Sequence, residues 1–465
     1  MNTDTIAAIA TALSDSGIGI IRVSGKTAIE IVDKIFRTPG GKRILTGVSS
    51  HTIHYGYIVD ADSLQRIDEV MISVMKAPRS FTTEDTVEIN CHGGVFIMKK
   101  ILDLVCKAGA RMAEPGEFTK RAFLNGRIDL SKAEAVMDFI HSQNEYALKN
   151  SFNQLQGKLS DTIRTLRKKL IYEIALIESA LDDPEHFDLT NYPLELKQKV
   201  EKIRSEISSL IDTSLNGKVI TEGVSTVILG KPNAGKSSLL NQLLGEERAI
   251  VTDVAGTTRD ILQEKIRLNG VCLNVVDTAG IHDTEDLVEK IGVEKAKKYA
   301  QDADLLLCVV DSSVDLDESD RQIFSMIQNQ KAIILLNKND LDQKVEERDL
   351  KTYIDFNQND IVVLNTSTKD GRGIRELEDV IKKMFYEGVL KSNNEVVITN
   401  LRHKKALEDA FESLGLVLKS IDEGMPEDFY SIDLMSAYSS LGYIIGEEVD
   451  DDLMDEIFSK FCLGK

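Results

Sequence analysis

One glycine-rich segment sets narrow limits on how this chain can fold. Residues 230–237 read G-x-x-x-x-G-K-S, directly after the apolar run at 224–229 and before the leucine-rich run at 239–244. A buried strand that ends in such a turn and leads into a helix directs several backbone N–H groups at one point, which suits a polyphosphate. The pattern predicts that Lys236 reaches the β- and γ-phosphates and that Ser237 ligates Mg²⁺.

The alternative is a tight glycine turn without a ligand, and two downstream segments argue against it. Asp277-Thr-Ala-Gly280 follows an apolar strand, where Asp277 can hold the Mg²⁺ shell and the N–H of Gly280 can sense a γ-phosphate. Asn337-Lys-Asn-Asp340 follows a second strand. The carboxylate of Asp340 can accept from both the ring N–H and the exocyclic amine of guanine, whereas adenine offers no such donor pair. The expected ligands are therefore GTP and GDP.

Two further segments complete the set. Gly256-Thr-Thr258 supplies a threonine that can close on Mg²⁺, and Ser367-Thr-Lys369 forms a small-residue loop at the guanine edge. Thr368 stands where such GTPases usually have alanine. The order of these segments predicts a GTPase domain, and the alternation of strands and helices predicts a doubly wound α/β sheet with the nucleotide at the carboxyl ends of its strands.

The predicted nucleotide contacts are short runs within these segments. They are Asn233, Ala234, Gly235, Lys236, Ser237, Ser238, Thr252, Asp253, Val254, Ala255, Gly256, Thr257, Thr258, Asp277, Thr278, Ala279, Gly280, Asn337, Lys338, Asp340, Ser367, Thr368 and Lys369.

The second switch segment lacks the glutamine that orients water in Ras-type enzymes, because Ile281 occupies that position. An apolar side chain cannot polarise water, so another residue of this segment has to do so. The polar candidates, which the residues alone do not separate, are His282, Asp283, Glu285, Asp286 and Glu289.

No arginine of the switch segments is obviously placed to supply the positive charge that usually stabilises the transition state. Arg259 is the nearest arginine in the switch segments. Residues 249–256 are rich in small side chains, so their carbonyls can coordinate a monovalent cation beside the phosphates, and Asn233 can add a side-chain oxygen.

Several segments together resemble the MnmE (TrmE) family of tRNA-modification GTPases over the whole chain. They are Pro232-Asn233, residues 249–260, 4–11, 17–25 and 116–126, and the terminal Cys462-Leu-Gly-Lys465. The resemblance implies a K⁺ ion held by Asn233, Thr252, Val254 and Thr257, with Mg²⁺ on Ser237 and Thr258. It also implies that Glu289 orients the attacking water and makes Cys462 a candidate catalytic residue. His282 stands where the family often has an arginine.

The amino-terminal residues Arg22, Glu88 and Arg127 can each form a structural salt bridge or a helix cap. The resemblance implies instead that they bind 5-formyl-tetrahydrofolate or a related one-carbon folate, together with Lys465. A carboxylate such as Glu88 can accept from the amide and amine edge of a pteridine, and basic groups suit the glutamate tail.

The function that the resemblance implies is a group transfer. A homodimer would form a heterotetramer with a FAD- and NADH-dependent partner of the MnmG/GidA type and add an aminomethyl-type group at carbon 5 of the tRNA wobble uridine. Two alternatives stay open: a regulatory or ribosome-assembly GTPase without group transfer, and a self-contained folate-dependent transferase that the GTPase gates. The tail at 462–465 and the amino-terminal segments favour modification.

Charge and composition limit the other classes. The formal net charge is −20, which argues against a surface that grips nucleic acid everywhere, so tRNA would need a local basic patch. The best clusters are 164–169 and 402–405, although a solvated helix face is the commoner explanation. Five scattered cysteines without a C-x-x-C pair indicate neither a disulfide framework nor a zinc site. With no secretory signal and no run of roughly 18 apolar residues, we expect a cytoplasmic protein without membrane association.

The expected architecture is multidomain, with an α/β P-loop GTPase domain inserted into an all-α helical domain that follows an α+β amino-terminal domain. Short β-type runs at 18–23, 70–74 and 86–90 mark the amino-terminal domain, and helical spacing marks the flanking halves. The predicted boundaries are 1–121 for folate binding and dimerisation, 122–215 for the first helical half, 216–386 for the GTPase, and 387–465 for the second helical half with its C-x-G-K tail.

Overall fold

The structure is a computed structural model that describes residues 4–183, 191–214, 217–248, 263–268, 270–276, 298–328, 330–356, 360–390, 396–461 and 464. The chain divides into two compact units. The first unit comprises Met1–Met137, Asn153–Arg204 and Ala406–Lys465, and the second comprises Asp138–Phe152 and Ser205–Lys405.

The amino-terminal part of the first unit is a seven-stranded sheet in the order β3-β4-β5-β6-β2-β1-β7. Its strands are β1 Ile6–Ile9, β2 Ser16–Ser24, β3 Phe36–Arg37, β4 Thr52–Val59, β5 Arg66–Met75, β6 Thr86–Gly93 and β7 Arg111–Met112. All neighbours pair antiparallel except β1 and β7. The predicted runs at 18–23, 70–74 and 86–90 lie in β2, β5 and β6, so the α+β prediction is confirmed.

One face of this sheet is covered by α1 Ala28–Ile35 and α2 Val95–Lys107. Along β5, Val70, Ile72 and Val74 are buried at every second position, as a strand with one covered face requires. Met71 points the other way and is 48% exposed. The alternation thus separates a core face from an open face.

The rest of the first unit is helical. It contains α3 Glu117–Leu124, α6 Lys158–Asp182, α14 Glu427–Ile445 and α15 Asp451–Ser459. Leu159, Ile163, Leu166 and Leu170 of α6 are buried at helical spacing. Helices α6 and α14 pack together, and the Arg167 guanidinium lies 3.9 Å from the Tyr438 ring centroid.

These two helices precede and follow the segment that carries the glycine-rich loop. That segment is therefore an insertion into a helical domain, as the sequence predicts. The helices that contain borders between the two units are α4 Leu130–His141, α5 Glu145–Leu155, α7 Tyr192–Thr213 and α13 Leu401–Asp422. The predicted domain boundaries stay predictions.

The second unit holds a six-stranded sheet in the order β13-β12-β11-β8-β10-β9. Its strands are β8 Val224–Gly230, β9 Gln263–Leu268, β10 Val271–Val276, β11 Leu305–Asp311, β12 Ala332–Asn337 and β13 Ile361–Asn365. Its other helices are α8 Gly217–Glu222, α9 Lys236–Arg248, α10 Glu318–Met326, α11 Glu347–Leu350 and α12 Ile374–Leu390. Only the β9–β10 pair within this sheet is antiparallel.

Both faces of this sheet are buried. In β11, Leu307 and Val309 join one apolar cluster, whereas Leu306, Cys308 and Val310 join the other. Such continuous apolar strands are typical of parallel sheets covered on both sides, so the doubly wound prediction is confirmed. Burial also raises the pKa of the Cys308 thiol to about 12, which makes this cysteine an inert core residue.

Candidate functional site

The glycine-rich loop joins β8, which ends at Gly230, to α9, which begins at Lys236. Gly230 has φ +153°, and an added Cβ would lie 2.5 Å from the carbonyl oxygen of Val309. Gly235 has φ +105°, and its Cβ would lie 2.2 Å from Nδ2 of Asn337. Both positions therefore require glycine, because a side chain would meet backbone or a buried amide. The loop is a constrained structure rather than a loose turn.

Lys236 lies inside this loop. Its Nζ donates to the carbonyl oxygens of Gly230 at 2.8 Å and Lys231 at 2.9 Å, and the residue is 9% exposed. The loop thus holds an ammonium group at the N-terminus of α9, where the helix dipole also favours an anion. Ser237 and Ser238 follow in the first turn and are exposed. The geometry fits a polyphosphate.

Asn337 connects this loop to the last loop of the site. It ends β12, is fully buried, and donates from Nδ2 to the carbonyl oxygen of Ala234 at 2.8 Å and to Oγ1 of Thr368 at 3.2 Å. The backbone N–H of Thr368 donates to Oδ1 of Asn337 at 3.0 Å. One side chain therefore fixes the phosphate loop and the Ser367–Lys369 loop together. The hydroxyl of Thr368, which alanine would lack, takes part in this link.

Asp340 lies in the turn after β12 with its side chain 18% exposed. The Ser367 hydroxyl donates to its Oδ1 at 3.0 Å, and the ammonium of Lys369 lies 3.9 Å from its Oδ2. A hydrogen bond to one oxygen fixes the plane of the carboxylate and leaves acceptor capacity on both oxygens. The carboxylate is therefore oriented for paired N–H donors.

An acidic residue at the end of β11, which the sequence did not indicate, supports the turn that carries Lys338 and Asp340. Asp311 accepts from Nζ of Lys338 at 2.5 Å and from the Ser313 hydroxyl at 2.6 Å. Burial raises the pKa of the Asp311 carboxyl, but the bonds from Lys338 and Ser313 outweigh it, so its pKa lies below the ordinary value. No local sequence signal marks this residue, because its role depends on the pairing of β11 with β12, which places Asp311 opposite Asn337.

The phosphate loop has a second support that the sequence did not indicate. Lys231 contacts Asp317 at 3.0 Å and the buried Asp320 at 2.7 Å, both at the start of α10. Desolvation lowers the pKa of Lys231, but these two carboxylates outweigh it and raise its pKa overall. The ion pairs connect the loop to a helix on the same edge of the sheet.

Many predicted site residues lie outside the described residues. They are Thr252, Asp253, Val254, Ala255, Gly256, Thr257, Thr258, Asp277, Thr278, Ala279, Gly280, Glu289, Cys462 and Lys465, together with Ile281, His282 and Arg259. Their assignments stay predictions. The described phosphate-loop and guanine-loop residues do converge at the carboxyl ends of β8, β12 and β13.

A second group of predicted residues meets in the first unit. Arg22 on β2 pairs with Glu88 on β6 at 2.9 Å, and its Nη1 donates to the carbonyl oxygen of Gly464 at 3.0 Å. Gly464 has φ +88°, and an added Cβ would lie 2.5 Å from the carbonyl oxygen of Ile9. Gly464 is thereby held against the first two strands of the amino-terminal sheet. The structure brings Arg22, Glu88 and the residue before Lys465 together.

Arg127 lies beside Phe81, next to the apolar cluster around Phe118, and is not part of the Arg22–Glu88 ion pair. Its guanidinium is 5.5 Å from the Phe81 ring centroid, and that of Arg22 is 5.7 Å from the Phe118 ring centroid. Phe81 packs against the cluster that contains Phe118. Two arginines thus flank one apolar cluster, each able to form a cation–π contact.

The segment at 116–126 has a structural explanation. An added Cβ on Gly116 would lie 2.4 Å from the carbonyl oxygen of Phe458 in α15. Arg121, with its side chain 8% exposed, pairs with Asp4, Glu84 and Glu117 at 2.9–3.2 Å. A cavity of about 890 Å³ lies beside this network. The segment therefore fixes the amino terminus and α15 in one unit.

The cluster at 164–169 is partly neutralised in the structure. Arg164 pairs with Asp129 at 3.0 Å, and the buried Arg167 contacts Glu447 and Glu448. These two arginines are structural. Over the described ranges, no cluster of three or more His, Cys, Asp or Glu residues forms a potential metal site. Within the same ranges, we find no helix whose length and hydropathy match a membrane span.

Comparison with known proteins gives a consistent result. The family model described as the MnmE helical domain matches residues 130–462, and the model described as the GTP-binding protein TrmE N-terminus matches residues 5–127. The chain is 55% identical to the tRNA modification GTPase MnmE of Lachnoclostridium phytofermentans, with 100% of both chains covered. It is 48% identical to that of Clostridioides difficile, with 99% of each covered. Among solved structures, the G domain of the T. maritima FeoB iron transporter matches 34% of this chain and 97% of its own length, at 27% identity and a TM-score of 0.27.

Proposed function

Because this chain belongs to the MnmE family of tRNA modification GTPases, we propose that it hydrolyses GTP to drive a folate-dependent modification of the tRNA wobble uridine. The rival function is a regulatory or ribosome-assembly GTPase without group transfer. The observation that favours modification is the Arg22–Glu88–Gly464 contact, because Gly464 of the C-x-G-K segment lies against the amino-terminal sheet. A switch that acts by binding alone has no need of such a tail site.

The observation that carries the guanine specificity of this GTPase is the orientation of Asp340. Ser367 holds one carboxylate oxygen, and Asn337 fixes the neighbouring loop to the phosphate loop. In this arrangement Asp340 accepts from the ring N–H and the exocyclic amine of guanine. Xanthine carries a carbonyl in place of that amine, so an asparagine at this position would match it instead, with one acceptor and one donor.

The test is therefore the variant Asp340→Asn, with the exposed Asp342→Asn as a control that loses the same charge. We expect Asp340→Asn to lower kcat/KM for GTP by about 100-fold or more, because a site built for hydrogen bonds rejects a mismatched ligand strongly. We expect XTP hydrolysis to rise in the same variant. If Asp340→Asn retains GTP hydrolysis like the control, the guanine assignment is wrong.

The catalytic end of the site is proposed from the motifs and the family. Lys236 would contact the β- and γ-phosphates, while Ser237, Thr258 and Asp277 would hold Mg²⁺. The divalent cation would neutralise charge that develops on the phosphates. Glu289 would orient the attacking water in place of the missing glutamine.

We further propose that K⁺ supplies the positive charge that no arginine provides. Asn233 would contribute its side-chain oxygen, and Thr252, Val254 and Thr257 would contribute loop oxygens. Its support in the structure is Asn233, which has a backbone φ of +64° and an exposed side chain within the phosphate loop. Such positive φ values in non-glycine residues concentrate at functional sites.

Hydrolysis rates in matched KCl, NaCl and choline chloride test the cation proposal. The wild type should be stimulated by K⁺ alone, by about tenfold or more if the ion replaces an arginine. Asn233→Ala should lose that stimulation and keep its basal rate in NaCl. Equal rates of the wild type in all three salts would refute a specific cation.

In the first unit, Arg22, Glu88, Arg127 and Lys465 would bind 5-formyl-tetrahydrofolate or a related one-carbon folate. Glu88 would accept from the pteridine edge, and Cys462 would lie near the carbon unit. Arg22→Ala should weaken folate binding by about tenfold, as expected for a lost charge-assisted hydrogen bond. Calorimetric titration measures this, with the exposed Arg79→Ala as control. Equal folate affinities for the two variants would remove Arg22 from the site.

The active assembly would be a cytoplasmic homodimer that joins a FAD- and NADH-dependent partner of the MnmG/GidA type in a heterotetramer acting on tRNA. Self-association has support in the open face of β4 and β5, where Ile53, Tyr55 and Met71 are 68%, 48% and 48% exposed. Contiguous exposed apolar side chains often mark an interface. Ile53→Glu should shift the sedimentation equilibrium towards monomer, whereas Leu194→Glu, at a position on α7 that is 66% exposed, should not.

A further inference from the structure

A groove of about 700 Å³ lies between α6 and α7 in the first unit. Its walls bring lysines from both helices to one place, although the chain as a whole carries a formal charge of −20. The basic lining residues are Lys168 and Lys169 on α6 and Lys199 and Lys202 on α7. Lys168 and Lys202 are exposed. The groove is thus a local positive surface on an acidic protein.

The carboxylate among the groove's lining residues is Glu173, and it does not offset this surface. It is 5% exposed, and Lys199 contacts its two oxygens at 2.9 and 3.1 Å. The Tyr192 hydroxyl also donates to Glu173 at 3.1 Å. Because Glu173 is neutralised within the packing of α6 and α7, Lys168 and Lys202 set the charge that an approaching molecule meets.

Apolar side chains and an aromatic ring also line the groove. Tyr172 is 65% exposed and Ile171 is 39% exposed. The ammonium of Lys199 lies 5.9 Å from the Tyr172 ring centroid, so the ring stands beside the positive charges. An exposed ring among cations is the arrangement on which an unpaired base can stack while its phosphates contact lysines.

We propose that this lysine groove binds the sugar-phosphate backbone of tRNA, with Lys168 and Lys202 on phosphates and Tyr172 stacked on an unpaired base. The proposal rests on the proposed function, which makes tRNA the substrate. An acidic peptide would match the lysines equally well, but it would gain little from the flat exposed ring. Because the chain as a whole carries a formal charge of −20, tRNA needs a local basic patch, and this groove provides one.

The test uses the full-length protein and a fluorescein-labelled, unmodified tRNA transcript. Binding is followed by anisotropy between 50 and 200 mM KCl, because added salt weakens binding in proportion to the number of phosphate contacts. The groove variant is Lys168→Gln with Lys202→Gln. Its matched control is Lys42→Gln with Lys99→Gln, two exposed lysines of the same unit. Both double variants change the net charge equally, and GTP hydrolysis and thermal unfolding report on their folding.

We expect the groove variant to bind tRNA about tenfold more weakly and to reduce the slope of log affinity against log salt by about 1 for each lysine. The control should stay within about twofold of the wild type. Tyr172→Ala should lower affinity about fivefold or more without changing the slope, and Tyr172→Phe should restore it.

Three results would overturn the proposal, and each has a different meaning. If the wild type binds tRNA and the groove variant behaves like the control, tRNA binds elsewhere and the proposed function stands. If the wild type hydrolyses GTP but binds no tRNA at any salt concentration, the groove proposal fails together with the direct role of this chain on tRNA. Loss of binding to poly-glutamate, with tRNA binding unchanged, would instead show that the groove takes an acidic protein segment.

Discussion

The two candidate sites of this chain are built in opposite ways. The nucleotide site of the second unit consists of short contiguous loops, each placed at the carboxyl end of a strand in one sheet. The site of the first unit joins residues that are far apart in sequence, namely Arg22, Glu88 and Gly464. The nucleotide site can be recognised from local sequence patterns. The site of the first unit forms only after the chain has folded and Gly464 has come to lie beside Arg22.

Because of this difference, the two sites should respond differently to substitution. The nucleotide loops are crossed by buried hydrogen bonds, such as those of Asn337, so a local change should reach both the phosphate and the guanine contacts. The tail contact depends on one terminal segment, so it should be lost without effect on the second unit. Substitutions of glycines in the two sites test this contrast.

The largest effect is expected for Gly235→Ala. Its φ of +105° and the 2.2 Å approach to Nδ2 of Asn337 leave no space for a Cβ. Strain and overpacking together should cost about 3 kcal/mol, or over 100-fold in GTP affinity. Gly47→Ala is the control, because an added Cβ there has no neighbour within 4 Å and this glycine does not have a positive φ. Binding of a fluorescent GDP analogue gives both affinities.

Gly464→Ala should have a smaller and separate effect. The φ of +88° and the 2.5 Å approach to the Ile9 carbonyl should displace the tail from Arg22, and folate affinity should fall about tenfold. GTP hydrolysis should stay unchanged. Gly40→Ala, where a Cβ meets nothing within 4 Å, is the control for calorimetry with 5-formyl-tetrahydrofolate. Unchanged folate binding in Gly464→Ala would show that the tail contact is only structural.

The smallest effect is expected for Asp311→Asn, which removes the partner of Lys338 beside the guanine loop. A partly exposed pair of this kind is worth about 1 kcal/mol, so KM for GTP should rise about fivefold. Because the folded state lowers the pKa of Asp311 below its ordinary 3.8, its stabilisation is complete well above that pH. The stabilisation is lost as the pH falls through the lowered value.

Thermal unfolding at different pH values checks the sign of this effect. The difference in Tm between the wild type and Asp311→Asn should be constant from pH 7 to about 5 and should shrink below about pH 4. A difference that grows on acidification would contradict the assignment of Asp311 as the ionised partner of Lys338.

Much of the second unit could be predicted because its signals are local. Short local patterns indicate the roles of the glycine-rich loop, the apolar strands and Asp340. The structure places the described loop residues at one edge of the sheet. The doubly wound sheet follows from strands that are apolar on both faces, such as β11 and β12.

The supports of the site could not be predicted, because they depend on which strand ends become neighbours. Lys231 can form its ion pairs with Asp317 and Asp320 only after α10 has packed beside β8. The pairing of Asp311 with Lys338 likewise depends on the register of β11 and β12. In the first unit, no periodicity indicates that Gly464 returns to Arg22. The residues were identified there only through a family resemblance.

The most direct test of the account couples nucleotide choice to tRNA chemistry. The assay would combine the purified chain with GTP or XTP, unmodified tRNA, NADH, a one-carbon folate and the proposed FAD-dependent partner. The wobble uridine would then be analysed by mass spectrometry. We predict that the wild type forms the modified uridine with GTP and that Asp340→Asn forms it with XTP only. Modification by Asp340→Asn that is equally strong with GTP, or without any nucleotide, would contradict a GTP-driven modification enzyme.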